Sequence, residues 1–125
     1  MKPRILVVDD DPLYVEASSA ILAEDGRVEV VGCAGDGREA VEQAVLLQPD
    51  VVLMDIQMPL LDGIEATRCL HRLLPSVRIV LVSSSTSTAD RRRAREAGAF
   101  AAIAKGLGTD ALIEAALTAA EAVAS

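Results

Sequence analysis

Asp55 follows the unbroken apolar run Val51-Val52-Leu53-Met54 and precedes Ile56-Gln57-Met58-Pro59. Asp9 and Asp10 follow a second apolar run, Ile5-Leu6-Val7-Val8. Ser83 ends a third, Ile79-Val80-Leu81-Val82, and Lys105 stands after a fourth, Phe100 to Ala104. Carboxylates gathered in one crevice repel one another, and a cation would keep them ionised. Every side-chain ligand on offer is an oxygen and no Cys or His stands near, which disfavours Zn²⁺ and suits Mg²⁺. Asp10 and Asp55 are the candidate direct ligands and Asp9 a ligand through water; the backbone carbonyl of Gln57 could complete the set. A carboxylate with Mg²⁺, a lysine and a hydroxyl can transfer a phosphoryl group. The cations neutralise its equatorial oxygens, and Asp55 attacks in line to give an acyl phosphate.

The elements that must deliver these groups alternate. Short apolar runs without polar interruption read as strands buried on both faces, as in parallel sheets. They are expected over Arg4 to Val8, Val28 to Cys33, Val51 to Met54, Arg78 to Val82 and Phe100 to Ala104. Asp11 and Pro12 suit the N-cap and first position of a helix that Gly26 ends, with Leu13, Ala17, Ala20, Ile21 and Ala23 as its inward stripe. A second helix, Arg38 to Gln48, turns Ala40, Val41, Ala44, Val45 and Leu47 inward. Asp62 with Glu65, and Ser87 with Asp90, have capping-box spacing for two more. Thr109 or Asp110 starts a last, alanine-rich helix. Alternation throughout predicts an α/β fold with a doubly wound five-stranded parallel sheet, order 2-1-3-4-5. In such sheets ligands bind at the strands' C-terminal edge, where the order reverses beside strands one and three. Asp9, Asp10 and Asp55 are all delivered there.

A chain of 125 residues, 51% of them hydrophobic, can bury one sizeable core and is not disordered. Its net charge of −7 opposes nucleic-acid or anionic-membrane binding and suits a metal cation. No apolar run reaches the roughly 20 residues of a membrane span. Charge by position 9 leaves no signal-peptide core, so a cytoplasmic location is expected. Cys33 and Cys69 read as buried, reduced thiols.

Taken together, Val7-Val8-Asp9-Asp10, Leu53-Met54-Asp55-Ile56-Gln57-Met58-Pro59, Asp62-Gly63, Leu81-Val82-Ser83 and Ala104-Lys105 resemble the receiver domain of two-component response regulators. The resemblance runs from Ile5 to the final helix. It implies a CheY-like, flavodoxin-like (βα)5 fold. Asp55 would accept phosphate from a sensor histidine kinase, Asp9 and Asp10 would bind Mg²⁺, and Ser83 and Lys105 would contact the phosphoryl group. It further implies a change at the surface of the fourth helix, fifth strand and fifth helix. Asp9-Asp10-Asp11-Pro12-Leu13, Val30 to Val41 and Leu61-Asp62-Gly63-Ile64-Glu65-Ala66 are most similar to the NarL/FixJ-type subfamily, which joins a receiver to a LuxR-type helix-turn-helix. Residues 1–125 then form a single receiver domain, with any output domain outside them. Transcription through such a domain is the expected output.

Departures are as informative. Gly106 stands where many receivers have a cis proline, so a trans peptide is expected. Ala102 stands where many carry an aromatic switch residue. Gln57 occupies the place where an aspartate-nucleophile phosphatase needs its second acid, which opposes turnover of external substrates. A phosphorylation-independent binding module would be free to lose acids or the lysine, and all five positions are filled. A flavin carrier would need a phosphate loop after strand one and aromatic residues to stack. His71 reads as exposed on the third helix. Arg91, Arg92, Arg93 and Arg95 read as a solvated face or an output docking surface. Leu112, Ile113, Ala116, Leu117, Ala120 and Val123 make the last helix a candidate homodimer surface together with the first. In the hydroxyl run after Ser83, Ser85 would tune the dephosphorylation rate.

Overall fold

The computed structural model describes residues 2–84 and 87–124, with side chains up to 122. Ser85, expected to tune dephosphorylation, and the side chain of Val123, expected on the α5 surface, lie outside the described residues. Five strands alternate with five helices: β1 (Arg4–Val8), α1 (Pro12–Asp25), β2 (Glu29–Ala34), α2 (Gly37–Leu47), β3 (Val51–Asp55), α3 (Gly63–Leu73), β4 (Arg78–Ser83), α4 (Thr88–Ala97), β5 (Ala101–Ala104) and α5 (Thr109–Ala124). The strands are all parallel in the order β2-β1-β3-β4-β5, as the alternation predicts.

Side chains alternate across a strand, so each apolar run feeds two cores. Leu6, Val8, Val52, Met54, Ile79 and Leu81 pack under α2, α3 and α4 with Ala40, Ala44, Ile64, Leu70 and Ala94. Ile5, Val7, Leu53, Val80 and Val82 pack under α1 and α5 with Leu22, Leu112, Ile113 and Ala116. Nothing polar interrupts these runs because neither face meets water. The helix starts follow their caps. Asp11 accepts from the Leu13 N–H at 3.0 Å, Asp62 from Glu65 at 2.9 Å and Ser87 from Asp90 at 3.1 Å. Gly26 ends α1 in the left-handed region, φ 83°.

Several expectations about faces are corrected. On α1, Leu13, Ala17, Ala20 and Ala23 point to solvent, while Val15, Ser18, Ile21 and Leu22 face the sheet. Alanine carries little burial signal, and Ser18 tolerates burial because its hydroxyl donates to the Tyr14 carbonyl at 2.6 Å. Val45 of α2 is also exposed. The second strand starts at Glu29 rather than Val28 and continues to Ala34. Cys33 is exposed and Cys69 only half-buried, although both are free thiols. Cys33 sits on the sheet's edge strand, where cover is incomplete, with its Sγ 3.4 Å from Ser19 Oγ. The core covers α5 more fully than its composition suggests: Leu112, Ile113 and Ala116 are buried, and Leu117 and Ala120 are partly so. His71 is exposed, and its ring lies over Gly98, where an added Cβ would come within 2.6 Å of it.

Candidate functional site

The parallel register decides which residues meet. Val8 pairs with Met54, Asp55 with Val82, and Ser83 with Ala104. Asp9, Asp55, Ser83 and Lys105 therefore leave four neighbouring strands at one edge of the sheet. Oxygens of Asp9, Asp10 and Asp55 lie within 4.8 Å of one another. The spacing of apolar runs brings these acids together as expected, with Lys105 among them.

Asp9 is buried and both its oxygens are engaged. Oδ1 accepts from the Asp11 N–H at 2.9 Å. Oδ2 stands 2.7 Å from Lys105 Nζ, a close ion pair but without a well-aligned hydrogen bond. Asp55 has a side chain only 10% exposed and lies 3.8 Å from the same ammonium. Burial pushes the Asp55 carboxyl above its ordinary range, and the Asp9 charge adds to this. Lys105 and the Gln57 backbone N–H nearby oppose the shift without cancelling it. For Lys105 burial acts downward, yet the close Asp9 carboxylate and the charge of Asp55 raise its pKa overall. Asp10 is exposed at the rim, Ser83 is buried, and Gln57 is exposed just beyond β3. The described peptide bonds are all trans, including that before Gly106.

Two glycines let the loop after β3 close over this edge. A Cβ on Gly63 would run into the Asp55 carbonyl oxygen and come within 2.8 Å of Ile56 Cα. One on Gly37 would run into the Leu61 carbonyl. Between them Leu60 is held at φ 68° and is 81% exposed. The left-handed region is costly for a leucine and mild for asparagine. Leu60→Asn is therefore expected to raise stability by about 0.5–1 kcal/mol. Urea unfolding with an unchanged or lower midpoint would rule out strain at Leu60.

Sequence reasoning missed Tyr14. Its ring lies against Lys105, with Nζ 4.4 Å from the ring centroid. The available signal was position: Tyr14 is in the first turn of α1, and helical side chains lean toward the N-terminus, here toward the acids. Away from the acids, Ala102 is half-buried against the core, and Phe100 is 40% exposed. Both line a groove of about 260 Å³ with Arg91, Ala94 and Arg95 of α4.

The family model for the response regulator receiver domain matches residues 5–117. The receiver domain of the response regulator NarL from Mycobacterium tuberculosis superposes with a TM-score of 0.92 at 34% identity, covering 96% of this chain and 97% of that one. Response regulator GacA of Pseudomonas viridiflava is 39% identical over 90% of this chain and 52% of its own length. A protein-glutamate methylesterase/protein-glutamine glutaminase of Pseudomonas aeruginosa is 45% identical over 69% of this chain and 23% of its own. The chain thus spans about half or less of the length of these curated relatives. Among the described residues no helix is long and apolar enough to cross a membrane.

Proposed function

The chain belongs to the response regulator receiver domain family, and on that premise we propose that it is a phospho-accepting signalling switch whose acceptor is Asp55. The observation that carries this reading is the buried Asp55 carboxylate, 3.8 Å from Lys105 and clustered with Asp9 and Asp10. A carboxylate oxygen of Asp55 attacks the phosphorus of a phosphohistidine on a sensor kinase. The O–P bond forms, the P–N bond breaks, and its electron pair returns to the imidazole. Lys105 turns from Asp9 toward a phosphoryl oxygen, and the Ser83 hydroxyl, at the end of the adjacent strand, binds another. The Gln57 N–H holds the attacking carboxylate in orientation.

The residues fit Mg²⁺. The donors are all oxygens, and the buried Asp9 Oδ2 has no well-aligned hydrogen bond. Asp10 and Asp55 would hold the ion directly, Asp9 through water, and the Gln57 backbone carbonyl would complete the set. When bound, Mg²⁺ supplies positive charge against the carboxylates and the incoming phosphoryl oxygens.

The protein is proposed to act in the cytoplasm, with its signal leaving through α4, β5 and α5. Transcription is the proposed output, through a helix-turn-helix domain outside residues 1–125, as the resemblance to the NarL/FixJ-type subfamily implies. With Gln57 following Asp55 by two positions, no carboxylate is supplied there to activate water for turnover of phosphate esters. Incubating the protein with acetyl phosphate and Mg²⁺ is expected to add one phosphoryl group to Asp55, read by intact mass and peptide mapping. An unchanged mass from folded protein would overturn the reading.

A further inference from the structure

We propose that Tyr14 is a positioning residue for phosphoryl transfer: the face of its ring holds the Lys105 ammonium between Asp9 and Asp55. The inference rests on the phospho-acceptor reading above and extends it to a residue outside the acids, the hydroxyl and the lysine. Lysine has a flexible four-carbon stem and a point charge, so its head must be fixed by its surroundings. Asp9 fixes one side at 2.7 Å, and Asp55 lies at 3.8 Å on another. The Tyr14 ring supplies a third wall, with its centroid 4.4 Å from Nζ. With these walls in place, the Lys105 side chain is only 24% exposed.

The chemistry of the third wall matters. An ammonium is attracted to the negative face of an aromatic ring without giving up a hydrogen bond to it. A third carboxylate would bind the lysine more tightly and compete with a phosphoryl oxygen. An aliphatic side chain would fill the space without attracting the charge. The ring therefore confines Lys105 yet leaves its N–H groups free to pass from Asp9 to an incoming phosphoryl oxygen. The two partners come from opposite ends of the chain: Tyr14 from the first turn of α1, Lys105 from the exit of β5.

The test compares wild type, Tyr14→Phe, which keeps the ring, and Tyr14→Leu, which keeps only bulk. The first readout needs neither metal nor phosphate. The Lys105 side-chain methylene protons nearest the ammonium should show an upfield ring-current shift by NMR in wild type and Y14F, lost in Y14L. The second is the rate of phosphoryl uptake from acetyl phosphate with Mg²⁺. Y14L should be slower by about threefold to tenfold, the loss of one cation–ring contact, and Y14F should stay within about twofold of wild type. Equal rates in Y14L and Y14F, a slow Y14F, or no ring-current shift in wild type would overturn the role of the ring. A wild type that takes up no phosphoryl group would overturn the phospho-acceptor reading, while the ring-current comparison would still decide the contact.

Discussion

Asp55→Asn is expected to abolish phosphoryl uptake and, at the same time, to make the metal-free protein more stable by about 1–2 kcal/mol. Both effects follow from one carboxylate. As the proposed nucleophile it has no substitute, since an amide oxygen cannot form the acyl phosphate. As a buried charge beside Asp9 it is held at a cost, shown by the upward displacement of its pKa. Asparagine keeps the shape and can still accept from the Gln57 N–H, while the Asp9–Lys105 pair is retained. The pH dependence has a definite sign. The folded chain holds the Asp55 proton to a higher pH than the unfolded chain does, so folded protein binds more protons within that window. The Asp55 contribution to the stability of the metal-free protein therefore falls as pH rises from the ordinary carboxylate range through the raised value. D55N should flatten that fall. Mg²⁺ held by the cluster as proposed would bind the folded chain and not the unfolded one, so it should stabilise wild type more than D55N. Urea unfolding in EDTA and in Mg²⁺, across pH, checks all three statements. A D55N protein less stable than wild type in EDTA would contradict them.

Gly63→Ala should be among the most damaging small substitutions in the chain. The added methyl would collide with the Asp55 carbonyl oxygen and stand 2.8 Å from Ile56 Cα, both backbone atoms that cannot rotate away. Relief requires α3 to shift from β3, and Gly63 is tied to this strand's exit by its N–H donating to the Ile56 carbonyl at 2.7 Å. Overpacking of this kind costs about 2–3 kcal/mol. It also moves Asp55, the proposed acceptor. A displacement approaching 1 Å at a reacting group lowers rate by about a hundredfold, so slower phosphorylation is expected even where G63A is fully folded. Gly106→Ala is the control, because a Cβ there meets nothing within 4 Å. It should change stability by less than about 0.5 kcal/mol. If G63A matched G106A in urea midpoint and in rate of acetyl phosphate labelling, the close approach would not be holding Asp55 in place.

The exposed apolar residues are distributed differently from what the composition suggests. The alanine-rich α5 is covered by the sheet, whereas Leu13, Leu60 and Leu107 are 76%, 81% and 65% exposed. They lie just beyond the strand ends that carry the acids and the lysine. Leu60 and Leu107 lie outside the long helices, and Leu13, counted in the inward stripe of α1, is in its exposed first turn.

The sequence by itself determined the alternation, the strand order and the edge at which Asp9, Asp10, Asp55, Ser83 and Lys105 emerge. Uninterrupted apolar runs admit only a sheet covered on both faces, and a run ending in a polar residue marks where its strand meets solvent. Caps were equally legible, because Asp11, Asp62 and Ser87 satisfy helix N–H groups within their own turn. The inward face of α1 was not legible. Alanine gains little from burial, and Ser18 enters the core by a hydrogen bond to its own helix. Only the tertiary structure decided that Lys105 pairs with Asp9 at 2.7 Å rather than equally with both acids. It alone set Tyr14 against that ammonium. Those contacts join the start of α1 to the exit of β5, and no local pattern encodes a distance between groups so far apart along the chain.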